Sequence, residues 1–176
     1  SALQHNLKLR FQIVLQCAPL LKGLKVSCGI TMDSELFCEL KHIFRETGIL
    51  YRKLSEDRGR CFVLFYREEE LVEYLHRAEV RKFIREFGYE ATELEGMINR
   101  LCYRISWLAV TGMGFPHEIG AFLGYPVEDV KGFIVNQGRE YLLLGYWKVY
   151  SNPVAAKMLF RQYDQAKILA VNEFLT

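Results

Sequence analysis

Four prolines in 176 residues, no C-x-x-C pair and a net charge of only +2 define what this sequence has little of. The low proline content, with 51% hydrophobic and 14% aromatic residues, excludes a disordered or low-complexity chain. The missing C-x-x-C, with no His-rich partner segment, leaves neither a zinc site nor a redox dithiol signalled by spacing. No apolar run approaches the roughly 18–20 residues that a membrane helix needs. The N-terminal Ser1-Ala2-Leu3-Gln4-His5 has neither the basic nor the apolar region of a signal peptide. The small positive charge is interleaved with acids, as in Arg77-Ala78-Glu79-Val80-Arg81-Lys82, so it reads as a solvated helix face rather than a nucleic-acid footprint.

What is present is a core. A chain of this length buries about 70% of its unfolded surface and needs no metal or disulfide to stay folded. The five cysteines, at 17, 28, 38, 61 and 102, are odd in number and scattered. They suit a reducing compartment in which all five remain thiols, and 28, 38, 61 and 102 lie in apolar patterns expected in the core. The expected location is the cytoplasm.

Apolar periodicity predicts a helix over 3–17, ending near Cys17-Ala18-Pro19, and a short strand over 26–32. A helix is expected from Asp33 or Ser34 to about Thr47. Residues 49–55 and 60–67 read as a hairpin around Glu56-Asp57-Arg58-Gly59, with apolar side chains on both faces of the second strand. That strand is expected inside the sheet, covered on both sides. Helices follow at about 68–76, 78–87 and 92–108, the last opened by a capping box at Thr92-Glu93-Leu94-Glu95. Two short helices with Pro116 and Pro126 at their first positions meet at Gly124. Residues 141–150 read as a further strand of the same sheet, and Asn152-Pro153 caps a last helix over 153–174. The expectation is one α+β domain over 1–176: a small, mainly antiparallel sheet of three or four strands with helices around it.

Phe115-Pro116-His117-Glu118-Ile119-Gly120, Phe122-Leu123-Gly124-Tyr125-Pro126 and Gly145-Tyr146-Trp147-Lys148-Val149-Tyr150 carry a resemblance. With Cys17-Ala18-Pro19, Leu21, Gly23 and Lys25, they resemble the signature of an uncharacterised bacterial family, mostly from anaerobic Gram-positive bacteria, catalogued only as a domain of unknown function. The sequence departs from that pattern at Gln16, where a His often precedes the Cys, and at Glu68, where a Pro is common. The resemblance brings no established activity and no catalytic residues, and it names no cofactor either way.

His117-Glu118 lacks the second His one turn on that a zinc-protease helix requires, because position 121 is Ala. His117 can be a base or ligand-binding group near a helix start, or an ordinary surface or core residue. Cys17 is a nucleophile only if His117 approaches it in the fold. The helix after Pro126 offers Glu128 and Asp129 to a phosphate backbone, which speaks against DNA binding. Gly120 lies in a helical pattern at a cost of about 1 kcal/mol relative to Ala, which makes sense where another backbone, such as the strand at Gly145, packs close or where a ligand sits. The expected functional surface comprises Phe115, His117, Glu118, Gly120, Tyr125 and Trp147. The leading expectation is a non-enzymatic binding or accessory protein for a small molecule or another protein. The alternative is a small enzyme using His117 with Glu118 or Cys17.

Overall fold

A computed structural model describes residues 2–176. The fold is α+β, and its centre is a three-stranded antiparallel sheet. The strands are β1 (Ser27–Asp33), β2 (Leu50–Asp57) and β3 (Arg60–Tyr66), in the order β1-β3-β2. β2 and β3 form the expected hairpin, in which Arg58 and Gly59 both take positive φ (51° and 76°), the geometry of a tight type I′ turn. The central position of β3 follows from its two apolar faces. Cys61, Val63 and Phe65 pack with Leu9, Ile13 and Leu20 of α1 (Ala2–Leu21), while Leu64 and Tyr66 face the remaining helices. Those helices are α3 (Glu68–Leu75), α4 (Ala78–Arg85), α5 (Leu94–Thr111), α6 (Ile119–Phe122) and α7 (Val127–Asn136). The final helix α8 (Pro153–Leu175) packs along α1, and its N-cap Asn152 accepts a hydrogen bond from the Ala155 N–H. No helix among the described residues is long and apolar enough to cross a membrane.

Five expectations about helix ends, caps and cysteines are corrected. The first helix continues through Pro19 to Leu21, because Ala18 and Leu20 are fully buried and the chain exits only when the Leu24 N–H bonds back to Pro19 O. The helix expected after Asp33 is instead a 3-10 helix over Ser34–Glu39 followed by the single turn α2 (Leu40–Ile43), its start tied to the hairpin by Ser34 N–H to Gly59 O. The capping box of α5 does not form: Glu95 pairs with Arg52 across to β2, at 2.7 Å. Pro116 and Pro126 precede their helices rather than opening them, with Glu118 and Pro126 as the N-caps of α6 and α7. Cys38 is exposed, so one of the four cysteines expected in the core is outside it, while Cys102 is half-buried against the core.

The segment 141–150 does not join the sheet. It folds as a separate hairpin, β4 (Leu143–Leu144) against β5 (Lys148–Val149). Its apolar side chains are satisfied by α8 instead, where Trp147 and Val149 pack with Phe160 and Tyr163. That hairpin and the α6–α7 pair define the site.

Candidate functional site: an aromatic cleft between α6–α7 and the β4–β5 hairpin

Asp129, in the first turn of α7, is almost fully buried and organises the site. One of its oxygens accepts from the backbone N–H of Tyr150, the N–H of Ser151 and the Ser151 hydroxyl, each at 2.9 Å. The other accepts from the Trp147 indole N–H, also at 2.9 Å. A buried carboxylate demands such donors, and here they clamp the end of the hairpin onto the helix start. Trp147 is thereby fixed against Tyr125, the rings stacked with centroids 5.0 Å apart and 29° between planes. Tyr125 is held from behind as well, its carbonyl accepting from the Tyr74 hydroxyl at 2.8 Å. Burial pushes the Tyr125 hydroxyl pKa up, so it stays protonated through the neutral range.

Between these elements lies a cleft of about 320 Å³ whose walls include His117, Gly120, Tyr125, Phe133, Trp147 and Lys148. Gly120 sets its width. A Cβ there would lie 2.7 Å from Val130 Cγ2 of α7 and 3.2 Å from the Tyr125 ring, so only glycine allows α6 and α7 this approach. The close contact at Gly120 is therefore with Val130 of α7 and the Tyr125 ring, not with the strand at Gly145.

The cleft is aromatic with two basic side chains. His117 is exposed, its ring centroid 5.0 Å from that of Phe133. Lys148 Nζ donates to Gly138 O at 2.7 Å and lies over the Phe133 and Tyr141 rings, at 5.6 and 5.2 Å. The one carboxylate in the lining, Asp129, has both oxygens engaged. Among the described residues no side chain is hydrogen-bonded to His117, and no group of three or more His, Cys, Asp or Glu could hold a metal.

Four of the six residues expected on the functional surface thus meet in one cleft: His117, Gly120, Tyr125 and Trp147. Glu118 does not. It points the opposite way from its neighbour and is fully buried, accepting from Tyr89 Oη at 3.1 Å and from the Arg104 guanidinium. Phe115 also lies outside the cleft, edge-on to Phe62 of β3 at 6.3 Å. Cys17 belongs to the core between α1 and the sheet, where its side-chain partner is Cys28. Sequence reasoning missed Asp129, Phe133 and Lys148. Asp129 read only as an anionic group unfavourable to DNA, and Lys148 was the sole charge in an aromatic run, a signal left unused.

No curated protein and no solved structure matches the chain. A family model does match, over residues 13–176, and the chain belongs to that family, described as "Protein of unknown function (DUF3793)".

Proposed function

We propose that this is a non-enzymatic cytoplasmic binding protein whose α6–α7/hairpin cleft takes a small, planar, aromatic acid. The observation that carries this reading is the lining itself: Tyr125, Trp147 and Phe133 offer ring faces, while His117 and Lys148 stand beside them with no free carboxylate opposing. Apolar walls with a few convergent polar groups are the usual form of a small-molecule site. A flat apolar body gains from stacking, and an ammonium in a partly dry cleft favours an anion. An odd, scattered set of five cysteines accords with a reducing compartment. Against an enzyme built on His117 stand the distances within the chain. Glu118 turns into the core, Cys17 bonds Cys28, and His117 has no hydrogen-bonding acid or nucleophile among the described residues.

Calorimetric titration with 2-naphthoate and its neutral amide tests the reading. The acid is expected to bind at least about tenfold more tightly than the amide, the size of one charge-assisted contact. Lys148→Gln should erase that preference while leaving amide binding intact. Equal affinity for acid and amide, or no binding of either, overturns the proposal.

A further inference from the structure

A second cluster lies beside Tyr125, outside the residues that line the cleft. Cys17, in the last part of α1, is 1% exposed, and its Sγ lies 2.8 Å from the Sγ of Cys28 in β1, which is 8% exposed. Cys28 Sγ is also 3.3 Å from the carbonyl oxygen of Gln16. The chain between the two cysteines turns back at positive-φ Gly23 and carries Lys25, which is half-buried. Lys25 acts electrostatically on both sulfurs and places Nζ 5.3 Å from the centroid of the Tyr125 ring. The groups facing Cys28 are therefore Cys17 from α1, Lys25 from the turn and Tyr125 from the α6–α7 joint.

We propose that Cys17 and Cys28 form a peroxide-oxidisable dithiol, with Cys28 as the attacking sulfur, Cys17 as the resolving sulfur and Lys25 as the cation that sustains the Cys28 thiolate. Position divides the two roles: Cys28 is the less buried of the two sulfurs and has Lys25 beside it, whereas Cys17 is sealed between α1 and the sheet. The hydrogen bond from Cys17, then the Lys25 charge, lowers the Cys28 pKa against its burial. Burial, then the bond to Cys28, raises Cys17 well above the ordinary thiol range. A cation beside a sulfur favours its thiolate, and Lys25 supplies that charge at Cys28 although burial lowers its own pKa. Closing the contact to the ~2.05 Å of a disulfide requires less than about 1 Å of sulfur movement. The remaining cysteines are placed differently: Cys38 is exposed, Cys61 is raised by burial, and Cys102 is half-buried on α5.

The chemistry balances with hydrogen peroxide as the only co-reactant. The Cys28 thiolate attacks one peroxide oxygen, the O–O bond breaks, and the departing hydroxide takes up the proton Cys28 had released, leaving as water. Cys17 sulfur then attacks the sulfur of the Cys28 sulfenic acid. The S–O bond breaks, and the second hydroxide leaves as water with the Cys17 proton. Two electrons pass from the dithiol to the peroxide, and α1 becomes covalently joined to β1.

The test uses the reduced full-length protein and hydrogen peroxide, followed by denaturation, alkylation of residual thiols and peptide mass mapping. The expected product retains three of the five thiols and contains one intramolecular Cys17–Cys28 disulfide. Cys17→Ser should accumulate a sulfenic acid at Cys28, trapped by dimedone, whereas Cys28→Ser should yield none at Cys17. Lys25→Met should slow thiol loss by about tenfold, as expected for a smaller thiolate fraction. The mapping on the unmutated protein decides the matter even if a variant fails to fold. Peroxide that consumes Cys38 while sparing Cys17 and Cys28, or a disulfide joining either sulfur elsewhere, overturns the proposal.

Discussion

Two carboxylates near the cleft are both buried, and neither is chemically available. Glu118 serves Tyr89 and Arg104, and Asp129 serves Trp147, Tyr150 and Ser151. Truncating either leaves donors without partners, but the consequences differ. Arg104 is 19% exposed and can turn to water, so Glu118→Ala should cost about 2–3 kcal/mol in urea unfolding without disturbing the cleft. Asp129→Ala strands the indole N–H and two backbone N–H groups at once. It should cost about 3–4 kcal/mol and also shift the emission of Trp147, read in a Trp107→Phe background. If Asp129→Ala cost under about 1 kcal/mol, its place as the clamp would be wrong. At this scale adjacency misleads. His117 and Glu118 look like one unit in the sequence, yet one faces water and the other the core.

Elements meet where side chains allow, and the α6–α7 joint shows the limit. Alanine at 120 gains about 1 kcal/mol of helix propensity, but its methyl would press on Val130 Cγ2 at 2.7 Å. Overpacking of this kind costs about 1–3 kcal/mol, so Gly120→Ala should destabilise on balance. Adding Val130→Ala should restore part of the loss, a coupling that a double-mutant cycle on urea midpoints would reveal. Such element-level facts were unevenly legible in the sequence. The two-faced run 60–66 was readable as a central strand because its alternation and its turn at Arg58-Gly59 are local. The alternation over 141–150 was equally apolar, but nothing local distinguishes a strand of the sheet from a small hairpin lying on α8. What decides it is Asp129, whose partners lie 18 to 22 residues downstream. The Cys17–Cys28 contact was hidden for the same reason, since it depends on a helix running past its proline before the chain reverses. Gly120, Tyr125 and Trp147 were readable as a surface, because their residue types carry a cost or a size that demands a neighbour.

Across the whole molecule, buried phenols couple stability to alkaline pH. Burial pushes Tyr74 and Tyr163 up to about 12, and burial with the Glu118 charge raises Tyr89 further. A phenol whose pKa rises on folding holds its proton in the folded state at a pH where the unfolded chain has lost it. Its contribution is complete below about pH 10 and disappears as pH climbs from about 10 to about 12. Tyr74 alone should remove about 2–3 kcal/mol across that window. Urea midpoints should therefore be level between about pH 7 and 9 and fall steeply above 10, and Tyr74→Phe should flatten part of that slope. A midpoint unchanged at about pH 11.5 would contradict the burial of these hydroxyls. One ring of the molecule belongs to two neighbourhoods, because Tyr125 has Trp147 stacked on it and the Lys25 ammonium over it. Thermodynamic linkage makes that arrangement reciprocal. By whatever factor oxidation of the dithiol changes the affinity of the cleft, occupation of the cleft must change the oxidation equilibrium by the same factor. A ligand whose affinity differs between the two redox states would therefore move the redox midpoint of two sulfurs it does not touch.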